Sequence, residues 1–327
     1  MTGVRFGVVI PSYGRYGDPE LLIRLVRTAE RLGYEGAWFA DHVVVPDYAV
    51  SWMPAPQLEP LTCCLVAIGA TERIRVGIDV LVAPYRNPVL LAKMAATADR
   101  FGPGRLVLGI GVGYLRGEFE ALGVPYDTRG AMTDEYLEFW RHAWTAPDPI
   151  AFAGKFVTVD AVHLAVKPTD GGIPLWVGGN IDRALRRAAL LGDGWHPLWP
   201  TPERYASARA RIVEFREAAR VERPFTFSFS CPAGRVLDAP KDAWVVPEPV
   251  PRARPEYGYS PTVPRDADGR PRFTGTADQL IEDVSVYAGA GVEHLTLRFW
   301  TSTADLSPTE LEEQLERFAT EVIPRCR

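Results

Sequence analysis

Tyr34-Glu35-Gly36-Ala37-Trp38-Phe39-Ala40-Asp41-His42 is the stretch whose reading decides the fold. It follows a helical segment closed by Gly33, runs as a short apolar strand, and delivers a carboxylate and an imidazole side by side where the strand should end. Upstream, Val4-Arg5-Phe6-Gly7-Val8-Val9-Ile10 is near-continuously apolar, as in a strand buried on both faces. Pro19 then opens a helix in which Leu22, Leu25, Val26, Ala29 and Leu32 keep helical spacing. The N-terminal segment therefore reads β-α-β. In a parallel α/β barrel, residues at the C-terminal ends of strands point into the active-site mouth. Asp41 and His42 are accordingly either a functional pair or a loop cap beside a half-exposed ring. Histidine titrates nearest neutral pH and suits proton transfer.

The same rhythm repeats along the chain. Strands are predicted at 75–82, 105–113, 174–179, 192–196, 225–230 and 293–299, each followed by a helical pattern, the last running from Ser307 to Val322. Eight such units predict a closed (β/α)8 TIM barrel, a single domain over 1–327. Two insertions interrupt it. After the fourth strand, two helices split at Gly123-Val124-Pro125 precede a hairpin over 151–164, and after the seventh a segment rich in Pro, Asp and Arg, 238–272, reads as a flexible flap. The long Pro-rich connection from Val43 to Pro60, with Tyr48, Trp52 and Met53, has the length of a lid or substrate-binding loop.

Composition narrows the function classes. A net charge of −5 argues against a nucleic-acid partner, which demands a basic surface. No apolar run approaches the roughly 20 residues of a membrane span. Cys63, Cys64, Cys231 and Cys326 show no metal-ligand spacing, so neither a metal site nor a disulfide framework is expected. The chain starts directly on its first strand, and the cytoplasm is the expected location.

Several polar residues stand out against this apolar frame. Asp79 lies inside an apolar strand, where a carboxylate must be aimed at the barrel mouth or bonded to a neighbouring backbone group. The Gly109-Ile110-Gly111-Val112-Gly113 ending of the fourth strand lets another group approach the backbone closely, but it lacks the spacing of a dinucleotide fingerprint. Val177-Gly178-Gly179-Asn180 leads into a helix whose unsatisfied amides suit a phosphate, unless the glycines only make the turn. Tyr13, Trp52, Trp195, His196, Trp199 and Arg298 fall where they could line a substrate pocket. Arg298 either meets an anionic substrate or pairs with a neighbouring acid. His142 and His163 fall away from strand ends, and His294 starts the eighth strand at the face associated with stability.

Taken together, Trp38-Phe39-Ala40-Asp41-His42, Ala83-Pro84-Tyr85-Arg86-Asn87-Pro88, Gly109 to Tyr114, Glu118-Phe119 with Leu122-Gly123, Arg129-Gly130 with Asp134-Glu135, Val177-Gly178-Gly179 and Asp193-Gly194-Trp195 resemble the bacterial-luciferase-like monooxygenase family. The pattern is most similar to its F420-dependent branch. The resemblance implies coenzyme F420, or alternatively FMN, with His42 as the catalytic acid or base. It implies Asp41, Asp79 and Val80 near the ring, Gly111, Val112, Gly113 and Tyr114 beside it, and Val177, Gly178, Gly179 and Asn180 at the phosphate. It also implies a non-prolyl cis peptide at Asp79-Val80 and a homodimer. Three activities follow from it: F420-dependent hydride transfer on a small organic substrate, an FMNH2-dependent monooxygenase served by a partner flavin reductase, or a flavin-binding barrel without catalysis. The sequence departs from the sugar-phosphate-oxidising members at Tyr114, where those carry a glutamate, so glucose-6-phosphate oxidation is not expected.

Overall fold

The computed structural model describes residues 3–50, 53, 57–231, 234–239, 263–299 and 306–326. Four strands, β1 (Arg5–Val9), β2 (Gly36–Phe39), β3 (Arg75–Val82) and β4 (Leu106–Gly111), open the barrel. A hairpin of β5 (Ile150–Ala153) and β6 (Thr158–Val162) follows, then β7 (Leu175–Val177), β8 (Gly194–Trp195) and β9 (Thr226–Ser230). The short parallel pair β10 (Arg235–Val236) and β11 (Thr274–Gly275) precedes β12 (His294–Leu297). The barrel closes in the order β1-β12-β9-β8-β7-β4-β3-β2, each neighbouring pair parallel. These are the eight strands that the sequence predicts.

The outer layer comprises α1 (Pro19–Arg31), α2 (Pro60–Ala70), α3 (Pro88–Phe101), α4 (Arg116–Ala121), α5 (Arg129–Thr145), α6 (Asp182–Leu191), α7 (Pro202–Ala218), α8 (Ala277–Gly289) and α9 (Pro308–Arg317). Proline at the first turn of α1, α2, α3, α7 and α9 costs no hydrogen bond there, because that amide has no intrahelical acceptor.

Two large indoles fill the barrel interior, and glycines make room for them. A Cβ on Gly77 would stand 2.4 Å from the Trp38 ring and one on Gly7 2.6 Å from its Nε1, while one on Gly194 would stand 2.5 Å from Trp176. Trp38 stacks on Trp176 with centroids 5.2 Å apart. Close packing of this kind leaves no slack for an added methyl.

Thr274 and Gly275 pair as β11 with Arg235 and Val236, and Thr276 caps α8 with a reciprocal bond to Gln279. Residues 240–262 of the expected flap lie outside the described residues. Its C-terminal part is tied down, since the buried Asp283 of α8 accepts from Arg270, Arg272 and the Phe273 amide.

Candidate active site

The peptide between Asp79 and Val80 is cis, at the register shift between β3 and β4. There the glycines of β4 do what their spacing suggests. A Cβ on Gly109 would meet the Ile78 carbonyl oxygen at 2.1 Å, and one on Gly111 would meet Val80 Cγ2 at 2.6 Å. Val80 is half-buried in a strand otherwise closed to solvent along Val76–Asp79 and Leu81–Val82. Its side chain rises between Gly109, Gly111 and Gly178 as an apolar step in the floor of the mouth.

His42 is fixed from below. Its Nδ1 stands 3.0 Å from Oε2 of Glu118, a carboxylate with no exposed side-chain surface. The Tyr85 hydroxyl donates to the same oxygen at 2.9 Å, and the amides of Val43 and Val44 donate to Oε1 at 3.0 and 3.4 Å. A buried carboxylate is tolerated only with its lone pairs filled in this way. Burial and then the Glu118 charge push the Tyr85 hydroxyl upward, which keeps it a donor. With Nδ1–H committed to Glu118, Nε2 is the ring nitrogen left for proton exchange. Tyr114, at 39% exposure, meets the His42 ring edge-on at 6.1 Å.

Asp41 has another task. Its carboxylate accepts from the Val82 amide at 2.8 Å and from both Arg86 Nη atoms at 2.7 and 2.8 Å. Arg86 also bonds Glu59. Asp41 is therefore a brace joining the ends of β2 and β3, with its oxygens filled from within the protein.

Asp79 lies beneath the mouth and bonds side chains, where the sequence left open a backbone partner. His196 Nε2 stands 3.1 Å from Oδ1, while Ser230 Oγ at 2.9 Å and Arg298 Nη2 at 3.1 Å reach Oδ2. Burial alone would raise this carboxyl, but His196, Arg298 and Ser230 outweigh it and bring Asp79 down to about 2. Glu35, likewise opposed by burial, is held at about 2 by His294, Arg5 and Arg75. Both lie below an unfolded value of about 4, so each contributes stability above that pH and loses it as pH falls through about 2. Melting temperature followed by tryptophan fluorescence should therefore fall steeply between about pH 4 and 2. Asp79→Asn should flatten that slope, and an unchanged slope would count against the Asp79 assignment.

The substrate-lining expectations divide. Arg298 pairs with Asp79, so of its two readings the structure shows the acid partner. Trp195 is 0% exposed, its Nε1 donates to the Gly179 carbonyl, and its ring packs on Tyr205; it faces the helical layer and offers no surface to a bound molecule. His196 is also 0% exposed, stacked on Trp38 beneath the mouth. Tyr13 is half-buried near Arg298, and burial raises its hydroxyl against the opposing pull of that arginine. Trp199 adopts a left-handed backbone, φ 59°, with Nε1 buried and without a hydrogen-bond partner among the described residues. Trp52 lies outside the described residues. The connection after β2 docks on the start of α4 through Ala49, Met53 and Leu115 and a 3.3 Å bond from the Gly117 amide to the Tyr48 hydroxyl, walling one side of the mouth.

The residues present fit a flavin or deazaflavin. Gly178 and Gly179 (φ 103°) precede α6, whose first turn has no side-chain cap. The Asn180 amide donates to the Leu198 carbonyl, while its Oδ1 is buried and has no hydrogen-bond partner among the described residues. Open amides at a helix start suit a phosphate, and an orphaned buried acceptor suits a hydroxyl or ring N–H.

Sequence reasoning missed Glu118, Tyr85, Arg86 and Ser230. Glu118 and Tyr85 stand within quoted motifs, yet nothing local assigns them to His42, from which they are 76 and 43 residues away. The available signal was an acid at the start of a short helix directly after a glycine-ended strand.

A barrel closed by eight parallel strands, with an imidazole braced by a buried carboxylate at its mouth and a glycine-lined floor, defines a cofactor-dependent oxidoreductase barrel. The chain belongs to the luciferase-like monooxygenase family, whose profile matches residues 4–244. It is 30% identical over 176 residues to the FMNH2-dependent dimethylsulfone monooxygenase of Pseudomonas putida, covering 53% of this chain and 47% of that one. It is 29% identical over 184 residues to the F420-dependent glucose-6-phosphate dehydrogenase of Nocardia farcinica, covering 54% and 52%. In fold it is similar to an F420-dependent secondary alcohol dehydrogenase in complex with an F420-acetone adduct, with TM-score 0.79, 21% identity and 99% of each chain covered. Among the described residues no helix is long and apolar enough to cross a membrane.

Proposed function

We propose that this chain is a coenzyme F420-dependent oxidoreductase that moves a hydride to or from a small organic substrate, with His42 handling the accompanying proton. The observation that carries this reading is the support of His42: a buried carboxylate with four donors orients one imidazole so that Nε2 is the free nitrogen at the mouth. When bound, the deazaflavin supplies the hydride donor or acceptor. Reduction of a carbonyl requires a proton at the developing alkoxide, and oxidation of an alcohol requires its removal. His42 Nε2 gives or takes that proton, while Glu118 stabilises the ring whenever it is charged. Val80, Gly111, Val112, Gly113 and Tyr114 would hold the ring, and Val177, Gly178, Gly179 and Asn180 the phosphate. Asp41 and Asp79 support that floor from below. Tyr13, Trp199 and, beyond the described residues, Trp52 would border the substrate.

The second reading, FMNH2-dependent monooxygenation with a partner reductase, is favoured by the similarity to the dimethylsulfone enzyme. Equilibrium binding followed by fluorescence separates the two. Micromolar or tighter binding of F420 with weak FMN binding is expected, whereas preference for reduced FMN, with oxygen uptake in the presence of a reductase, would replace the first reading by the second. A cytoplasmic location goes with either.

A homodimer belongs to the same proposal. Leu65 and Val66 of α2 and Leu90, Met94 and Phe101 of α3 are exposed at 40–71%, and α2 carries no charged residue. An outer helix without a polar face calls for a cover, and a second copy is the occupant expected from the family resemblance. Leu90→Glu should convert a dimer to a monomer in sedimentation. A monomeric wild type would remove the proposal.

A further inference from the structure

Below the mouth, the barrel interior contains a continuous polar column that the proposed chemistry does not use. Asp79 Oδ1 meets His196 Nε2 at 3.1 Å, and His196 Nδ1 meets Ser228 Oγ at 2.7 Å. Ser228 Oγ meets His294 Nδ1 at 3.3 Å, and His294 Nε2 meets Glu35 Oε2 at 3.1 Å. The column crosses from β3 at the mouth to the residue before β2 at the opposite face, where Arg5 and Arg75 each reach Glu35 Oε1 at 3.2 Å. His196, Ser228 and His294 are at most 1% exposed.

Three of the links are hydrogen bonds and the fourth, His294 to Glu35, is a charge-pair contact whose Glu35 Oε2 has no hydrogen bond among the described residues, so a proton in every gap takes four hydrogens. The two ionised carboxylates supply none, the Ser228 hydroxyl supplies one, and two neutral imidazoles supply one each. With neutral rings one gap holds only facing lone pairs, between side chains that are at most 1% exposed. Thr296 Oγ1, 3.4 Å from His294 Nδ1, can cap that nitrogen but leaves the Ser228 lone pair against it. One additional proton closes every link and places a cation between two anions, the compensated form of a buried charge.

The groups facing the two rings are Asp79, with Arg298 behind it, at the mouth end and Glu35, with Arg5 and Arg75, at the other. Ser228 and Thr296 border the rings in between. Trp38 stacks on the His196 ring with centroids 5.0 Å apart, an arrangement that also favours a cation, while Trp176 meets His196 tilted and His294 edge-on. We propose that Glu35, His294, Ser228, His196 and Asp79 share one proton as a unit, and that His196 is through it a positioning residue that holds the Asp79–Arg298 pair beneath the mouth. Burial pushes His294 down.

The test uses the full chain without cofactor, so it stands or falls separately from the F420 reading. In protein carrying 15N-histidine, nitrogen-detected NMR should show one histidine with both ring nitrogens protonated from neutral pH to the alkaline limit of stability. In Glu35→Gln that signature should revert to a neutral ring, and Glu35→Asp should restore it. Exchange of the Arg298 guanidinium hydrogens should be at least about tenfold faster in Glu35→Gln, because the pair it belongs to is no longer held. Two neutral buried rings in the wild type, or an imidazolium indifferent to Glu35→Gln, would overturn the proposal. Should Glu35→Gln not fold, Ser228→Ala breaks the column at its centre and must remove the same signature.

Discussion

His42→Ala is expected to lower turnover by about 10²- to 10⁴-fold, the range that a positioned general acid or base contributes. Cofactor affinity should change by no more than about threefold, since the ring floor of Val80 and Gly111 and the α6 start are untouched. The measurement is steady-state consumption of the cofactor that binds, with the substrate found by screening, beside a fluorescence titration of the same cofactor. Glu118→Gln should fall between wild type and His42→Ala. The amide keeps the size and one acceptor oxygen, but it loses the charge that steadies a protonated ring and cannot match all four donors. Its loss should appear in kcat more than in KM, because an imidazolium forms as the proton moves. Full activity in His42→Ala would end the assignment of His42 as the proton-transfer residue. Loss of cofactor binding to the same extent would make the residue part of the binding floor instead.

Among the described glycines, Gly109→Ala should have the largest structural effect. The added carbon would lie 2.1 Å from the Ile78 carbonyl oxygen and 3.1 Å from Val80 Cγ1. Its nearest neighbour is backbone, which cannot swing aside as the end of a side chain does. Relief requires β3 and β4 to separate where their register shifts between Ile78 and Leu81. Overpacking that displaces backbone costs about 3 kcal/mol or more. Because the displaced segment carries Val80 and Asp79, cofactor affinity should also fall by at least about tenfold, equivalent to about 1.4 kcal/mol. Gly123→Ala is the control: its Cβ would meet nothing within 4 Å, and its cost should come only from its left-handed backbone, φ 67°. Denaturant titration of both variants checks this. A Gly109→Ala protein as stable as wild type would show that the strands yield more easily than their packing implies.

Much of this site was legible in the chain. A period-two or continuous apolar run needs only its own residues to declare a strand, and helical spacing likewise, so the eight β-α units, the glycine-ended fourth strand and the placement of His42 at a strand end could be read locally. The cis peptide at Asp79-Val80 came from family resemblance, and the structure has it. Trp195 and His196 show where local reading stops. Both sit at the end of β8, but adjacent side chains on a strand point to opposite faces. The structure turns Trp195 to the helices and His196 to the interior, below the mouth. An aromatic and a histidine at a strand end were therefore the right position with the wrong direction for substrate contact.

By itself the sequence determined the barrel, its order of elements and the candidate proton-transfer residue, because each follows from periodicity within a dozen residues or from one position at a strand end. Only the tertiary structure decided which acid serves which base. Glu118 comes to His42 across 76 residues, Arg298 to Asp79 across 219, and Glu35 to His294 through the closure of β1 on β12 and β2. A buried charge must find its partner wherever the closed barrel brings strands side by side, and that adjacency is set by the ring of strands and not by distance along the chain.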